Sequence, residues 1–202
     1  MEVLTEQLKQ ILRKGDRVLL CLPQQDMECW ANMIGQYEAI PVCCGPDLRW
    51  RELLRLAFLH QVRIVVAPPN VILGLAKLSR FTKTPLYIRH VIAAGSQCPG
   101  WMEKAIISSL DCHIYGLETE ADNSDAMDPL AQLPAYIGTW TSVLDCSITK
   151  SENGLEIEVV AFPGEMLPKL PSCARLVVRH WEPEKDIPFC IRSGWMNLPV
   201  TE

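Results

Sequence analysis

The stretch HIYGLETEAD carries the residue types that are best suited to bind a nucleotide in this chain. Tyr115, at the end of an apolar run, could stack on a planar base, and Gly116 permits close approach of the backbone. Thr119 could hydrogen-bond a phosphate or an adenine group. Glu118 or Glu120 offers the oxygen ligands that Mg²⁺ prefers. A solvated acidic turn after a strand explains the same spacing, so both interpretations stay open.

A turn of small residues, AAGSQ, follows the preceding apolar run. Gly95 and Ser96 would let backbone amides approach a ligand. The alternative is a strand-to-helix turn in which Ser96 or Gln97 caps a helix that starts near Pro99. The tripeptide PPN at residues 68–70 is by default a helix-entry turn.

Other chemistries find no support in the spacing. No G-x-S-x-G elbow, G-x-G-x-x-G fingerprint or Walker lysine loop occurs. Ser96 and Cys98 lie near a turn, but no histidine is tied to them in sequence, so a hydrolase is not expected. The nine cysteines form no C-x-x-C pair and the four histidines lack metal-ligand spacing. We therefore expect buried reduced thiols, no metal site and no catalytic residue.

The overall composition is that of a globular protein. The chain has 202 residues, 49% of them hydrophobic and 21% charged, with a net charge of −5. This charge argues against a nucleic-acid or anionic-membrane surface. The amino-terminal segment predicts an amphipathic helix without the features of a signal peptide, and no apolar run has the length of a membrane span. A soluble cytoplasmic protein is the expectation.

The first half of the chain alternates apolar runs with amphipathic segments. In the clearest helix Asp47 is the expected N-cap, and an apolar stripe comprises Trp50, Leu53, Leu54, Ala57 and Phe58. Unbroken apolar strands that alternate with helices predict a parallel sheet covered on both faces. In such sheets ligands bind beyond the carboxyl ends of the strands, which is where YGLETE and AAGSQ would lie.

The second half changes character, with short β-like segments from Pro134 onward and a polar, acidic stretch before them. The turn SENG predicts a hairpin. The fold class expected is α/β: a mostly parallel, doubly wound sheet with helices on both faces, followed by a small antiparallel β lobe. The expected boundaries are 1–120 for the α/β subdomain, 121–133 for a linker and 134–202 for the lobe.

The order of these segments resembles the acyl-adenylate-forming (AMP-binding) superfamily, which includes acyl-CoA synthetases, and in particular its phenylacetate-CoA ligase-like branch. CHIYGLETE resembles the YGxTE signature, IRHVIAAGSQCPGWMEKAI the GGE or GAE turn with its helix, and PFCIRSGW the YRTGD motif. ELLRLAFLHQVRIVVAPPNVILGLAKL is similar to the segment that leads to the acyl pocket. The resemblance runs from about Gly15 to Leu198.

The resemblance implies a nucleotide site and an acyl pocket. In the family the tyrosine stacks on adenine, the threonine contacts phosphate and the glutamate helps to bind magnesium. The implied cofactor-binding residues are Tyr115, Gly116, Thr119, Glu120, Gly95 and Ser96. The implied substrate pocket comprises Pro69, Asn70 and Ala94.

The chain also departs from the family pattern. YGLETE has one residue more than YGxTE, which displaces Thr119 and Glu120 by one position. Trp195 occupies the position of the aspartate that holds the ribose, and it cannot accept hydrogen bonds from hydroxyls. No phosphate-loop counterpart precedes GDRVLLCLP, and no lid with a catalytic lysine follows RSGW. Positioning and charge stabilisation supply most of the catalysis of adenylation, so we expect no ligase activity from this chain alone.

Three functional hypotheses follow. The first is a truncated homologue, a pseudoenzyme that binds an acyl or aryl acid, an adenylate or CoA, with ATP or AMP binding weak or lost and magnesium not expected. The second is one half of a split acyl-CoA or aryl-CoA ligase that a partner chain completes. The third is a protein-interaction module without nucleotide binding, in which a homodimer or a partner protein covers an apolar surface marked by Trp140, Trp181 and Trp195.

Overall fold

The computed structural model describes residues 8–45, 48–94, 98–116, 143–151, 154–164, 167 and 174–182. Five parallel strands form its main sheet, and four helices connect them in chain order. The strands are β1 (Arg17–Cys21), β2 (Ile40–Cys44), β3 (Ile64–Ala67), β4 (His90–Ala93) and β5 (His113–Gly116), in the spatial order β2-β1-β3-β4-β5. The helices are α1 (Gln24–Gly35), α2 (Trp50–Leu59), α3 (Pro69–Thr82) and α4 (Gly100–Leu110).

Both faces of this sheet are covered. Successive side chains of a strand point to opposite faces. Accordingly Val18 and Leu20 join one buried cluster with Trp30 and Ile34 of α1, while Leu19 joins a second cluster with residues of α2, α3 and α4. The predicted doubly wound α/β sheet is thereby confirmed. None of the helices in the described part of the chain has the length and apolar character that a membrane span requires.

The helix α2 differs in two details from its prediction. Its N-cap is Arg49 instead of Asp47, and the Arg49 backbone N–H donates to Oε2 of Glu52 at 3.4 Å, one half of a capping box. Because Glu52 lies three residues after the N-cap Arg49, it occupies the third helical position, and the helix starts at Trp50. Phe58, which was predicted to lie in the buried stripe, is 45% exposed because it lies at the side of the helix, past the strip that contacts the core.

A second sheet packs against the far side of α3. Its strands are β6 (Val143–Ser151), β7 (Gly154–Ala161) and β8 (Ala174–His180). The Nζ of the buried Lys77 donates to the Val143 carbonyl oxygen at 2.9 Å, and the rings of Phe81 and Phe162 stack with centroids 4.1 Å apart. A helix with sheets on two sides must be apolar nearly all round, which explains why α3 is buried from Pro69 to Ser79.

The second sheet is mixed, although the sequence predicted an antiparallel lobe. Strands β6 and β7 are antiparallel and Ser151 pairs with Gly154, so the hairpin at SENG is confirmed. Strands β7 and β8 are parallel. The connection between them has about a dozen residues, which is long enough to return the chain to the same end of the sheet. The segments AYIGTW and PFCIRSG lie outside the described residues, and the domain boundaries near residues 120 and 133 stay predictions.

Candidate functional site

The carboxyl ends of β3, β4 and β5 form a row of residues with almost no side chain. Ala67 pairs with Ala93, and Ala93 pairs with Gly116. The backbone continues this row, because the Ala94 N–H donates to the Ala67 carbonyl oxygen at 3.0 Å. Large side chains are absent from all of these positions, so a planar group could approach the backbone closely at this edge. The structure therefore brings Ala94 and Gly116, two predicted site residues, to neighbouring strand ends.

Tyr115 lies on the face of the sheet that α1 covers. Its strand partner is Ile92, and its half-buried ring packs against the cluster that contains Val66 and Ile92. The ring centroid lies 5.8 Å from that of His90, with the two planes tilted by 50°. Tyr115 thus packs against β4, and its ring lies toward His90 at the start of that strand.

Pro69 and Asn70 start α3 on the opposite face of the sheet. Asn70 is 7% exposed, and Pro68 is the N-cap of this helix. Pro23 and Pro99 occupy the same position before α1 and α4, and none of these three prolines supplies a side-chain hydrogen bond to its helix. Three helix N-termini, each with partial positive charge, therefore face the carboxyl edge without a side-chain cap.

The strand ends at this edge carry no charge in the part that the structure describes. The described residues at and directly after the carboxyl ends of β3, β4 and β5 are 67–70, 93–94, 98–100 and 115–116, and they contain no acidic, basic or histidine side chain. Helix N-termini and neutral groups thus provide all of the polarity at these positions. The predicted residues Gly95, Ser96, Thr119 and Glu120 lie outside the described residues, and their roles stay predictions.

The thiol of Cys98, which follows β4, is not activated. Burial, and secondarily the negative charge of Glu103, raise the pKa of Cys98 to about 12. Its Sγ lies 3.9 Å from the Pro99 carbonyl oxygen. The thiol is therefore protonated at neutral pH and is a poor nucleophile. In the described ranges no group of three or more His, Cys, Asp or Glu side chains could hold a metal ion.

Sequence reasoning missed a groove at the same edge of the sheet. It has a volume of about 330 Å³ and is lined by one stripe of α1 and by the end of β2. Met27 and Ala31 pack against the apolar cluster on this face of the sheet, but both are only partly buried. The lining residues are Gln24, Met27, Glu28, Ala31, Cys43 and Gly45.

Comparison with known proteins gives structural similarity only. No protein-family model and no curated protein matches this chain. Among solved structures, 2-hydroxyisobutyryl-CoA ligase in complex with R3-HIB-AMP is 15% identical with a TM-score of 0.49, over 61% of this chain and 28% of the ligase. The N-terminal domain of FACL13 from Mycobacterium tuberculosis is 18% identical with a TM-score of 0.46, over 55% and 29%. IdnL1 is 12% identical with a TM-score of 0.44, over 86% and 63%.

This chain spans less than a third of the length of the first two of these proteins. Identities and TM-scores of this size identify neither a shared activity nor shared ligands.

Proposed function

We propose that this chain is a catalytically silent relative of the acyl-adenylate-forming enzymes, which binds an acyl or aryl adenylate or the corresponding acid at the carboxyl edge of its parallel sheet. The proposal is supported by the row of small residues Ala67, Ala93 and Gly116 at three neighbouring strand ends. Gly116, the last of them, directly follows Tyr115. These positions lie in the same order along the chain as the motifs that resemble the family.

The charge of this edge supports binding without adenylation. A bound triphosphate needs cationic groups, and transfer of its α-phosphate needs them in fixed positions. The described residues after β3, β4 and β5 offer helix N-termini but no lysine or arginine. Trp195 at the ribose position and the extra residue in YGLETE remove two further family features. A ligand with one phosphate and an apolar acyl or aryl group suits this edge better than ATP.

A thermal shift series tests the proposal. The probes are AMP, an acyl-sulfamoyl adenosine as a stable adenylate mimic, a short aliphatic acid, an aryl acid and CoA. A ligand that binds only the folded chain stabilises it by about 2.7 kcal/mol at a concentration of 100 times its Kd, which raises the Tm by several degrees. We expect the adenylate mimic to give the largest rise.

Two variants locate the site. Tyr115→Ala should reduce the rise in Tm, because Tyr115 directly precedes Gly116, the β5 member of the proposed site. Tyr87→Ala is the matched control, since Tyr87 is 61% exposed and precedes β4 at the other end of the sheet. Equal responses of the two variants, or no response to any probe, would contradict the proposed site.

An exchange assay tests silence separately. We expect no acid-dependent exchange of pyrophosphate into ATP by the purified chain. Exchange by the chain alone would show that it is an enzyme. Exchange that appears only after addition of a second polypeptide would favour the split-ligase hypothesis. The homodimer stays a prediction, which light scattering at high concentration tests.

A further inference from the structure

The middle of this acidic chain is free of acidic residues. Residues 53–102 contain no aspartate or glutamate, in a sequence that holds 24 of them. This segment covers most of α2, all of β3, α3 and β4, and the start of α4. Its basic residues are Arg55, Arg63, Lys77, Arg80, Lys83 and Arg89. The acidic residues thus lie outside this segment, and β3 and β4 at the centre of the parallel sheet lie within it.

Three arginines of this protein lie side by side at the amino end of the sheet. Arg17 begins β1, and Arg63 and Arg89 each immediately precede β3 and β4. The Arg63 N–H donates to the Arg17 carbonyl oxygen at 3.0 Å, and the Arg89 N–H donates to the Arg63 carbonyl oxygen at 2.7 Å. Neighbouring strands are about 4.8 Å apart, so these residues form one continuous row.

The side chains of this row retain a net positive charge. Nη2 of Arg89 donates to both carboxylate oxygens of Asp16, at 2.8 and 2.9 Å. Nη1 of Arg17 donates to the His60 carbonyl oxygen at 3.1 Å, and Nη1 of Arg63 donates to the Tyr87 carbonyl oxygen at 3.4 Å. In the described part of the chain, Asp16 supplies the one carboxylate that these hydrogen bonds reach. Three guanidinium groups are therefore oriented by contacts that neutralise only one of them.

Exposed apolar side chains border the same row. Ile40 is the strand partner of Arg17 and is 48% exposed. Leu59, next to the carbonyl group that Arg17 contacts, is 58% exposed. Tyr87 is 61% exposed, and the guanidinium carbon of Arg63 lies 5.8 Å from its ring centroid. Arginine and tyrosine are the residue types that recur at the centres of protein interfaces.

We infer that this amino-edge patch, defined as Arg17, Ile40, Leu59, Arg63 and Tyr87, binds a protein partner that presents carboxylates flanked by apolar side chains. The guanidinium groups match carboxylates in geometry and charge, and the exposed apolar groups match a partner with apolar side chains. A nucleic acid fits less well, because the exposed side chains of Ile40 and Leu59 would find no apolar counterpart on a phosphate backbone. The patch lies at the opposite end of the sheet from the proposed ligand site, so this inference is independent of that function.

A binding assay with a defined probe tests the inference. The probe is a fluorescent peptide that repeats Glu-Glu-Leu-Phe, and its comparison peptide repeats Lys-Lys-Leu-Phe. In fluorescence anisotropy we expect the acidic peptide to bind and the lysine peptide not to bind. The affinity for the acidic peptide should fall about tenfold between low and physiological salt. The double variant Arg17→Gln/Arg63→Gln should bind it at least about tenfold more weakly. The control Arg55→Gln/Lys104→Gln removes the same charge at two exposed positions outside the patch and should change the affinity by less than about twofold.

A second variant protects the test against loss of folding, because Arg17 and Arg63 also hold backbone carbonyl groups. Leu59→Ser/Tyr87→Ser leaves both arginines in place and should also weaken peptide binding. Equal binding of the lysine peptide, or equal affinity in the patch variants and the control, would overturn the inference. So would tighter binding of duplex DNA or of phosphatidylserine vesicles in the same assay. Self-association that Arg17→Gln/Arg63→Gln abolishes would assign the patch to a second copy of this chain instead.

Discussion

Gly74 of α3 lies directly against the indole ring of Trp50 at the start of α2. A Cβ added at position 74 would overlap three atoms of that ring. Trp50 is 1% exposed and has no room to move outward. The absence of a side chain at position 74 thus sets how closely the two helices pack on this face of the sheet.

Replacement of Gly74 by alanine is expected to destabilise the protein. In an exposed helix this change is stabilising by about 1 kcal/mol, because glycine is a poor helix former. Here the overlap with Trp50 reverses the sign, and we expect the free energy of unfolding to fall by about 1 to 3 kcal/mol in urea denaturation. Gly35→Ala is the matched control, since Gly35 is also helical and nothing lies within 4 Å of its added Cβ. A neutral or stabilising Gly74→Ala would contradict the close packing.

The pair of Asp16 and Arg89 ties β1 to β4 across the intervening strand β3. The side chain of Asp16 is 12% exposed and that of Arg89 35% exposed, and Asp16 also accepts a hydrogen bond from the Arg13 N–H at 3.0 Å. Asp16→Asn keeps the size but removes the charge. We expect it to lower the free energy of unfolding by about 1 to 2 kcal/mol, more than an exposed pair contributes.

The exposed ion pair of Lys14 and Glu38 provides the control. Glu38→Gln should change the free energy of unfolding by less than about 0.5 kcal/mol, because water and salt screen that pair. If Asp16→Asn lowered the free energy of unfolding no more than Glu38→Gln does, the pair of Asp16 and Arg89 would not contribute more to stability than an exposed ion pair.

The cysteines should differ widely in their reactivity. Burial, and secondarily a neighbouring acidic group, raise the pKa of Cys98 to about 12 and that of Cys112 to about 11. At pH 8 a thiol with a pKa of about 12 is ionised in only about one molecule in ten thousand, and the thiolate is the form that reacts. A short pulse of iodoacetamide followed by peptide mapping should label the exposed Cys29 at least about a hundredfold faster than Cys98. Urea should abolish this difference, and rapid labelling of Cys98 in the folded protein would contradict its burial.

The regular elements of the α/β layer were predictable because their sequence signals are local. β1 and β3 are unbroken apolar runs, and Pro69 at the first position of α3 marks its start. The N-cap of α2 was not predictable from the preference of aspartate for caps, since Glu52 selects Arg49 by reaching back to its backbone. The parallel pairing of β7 with β8 was missed because strand direction depends on where a long connection runs.

The positions of some candidate residues in the sheet were predictable, but their side-chain contacts were not. The rule that ligands bind beyond the carboxyl ends of parallel strands places Ala94, Tyr115 and Gly116 at one edge. Sequence spacing gives no information on ring direction, so the contact of Tyr115 with His90 was not foreseen. The amino-edge patch was missed for a related reason. Arg17, Arg63 and Arg89 are far apart in the sequence, and only the strand register places them in one row.

The histidine at the start of β4 should make the stability of the protein depend on pH. The ring of His90 stacks on that of His113 at 5.7 Å and also meets Tyr115. Burial, and then the neighbouring Arg89 and His113, lower the pKa of His90 below its usual 6.5; Asp16 opposes this shift, and Arg13 adds a smaller lowering. The unfolded chain therefore binds a proton more readily than the folded chain. The corresponding stability is present above about pH 6.5 and is lost as the pH falls through the lowered pKa of the folded state.

We expect the free energy of unfolding of the wild type to fall between about pH 7.5 and pH 5, and to fall less in His90→Phe, which keeps an aromatic ring but does not titrate. His60→Gln is the control, because it removes an exposed histidine at the end of α2. Urea denaturation at each pH measures the three slopes. An identical slope in His90→Phe and the wild type would show that groups other than His90 cause the acid sensitivity.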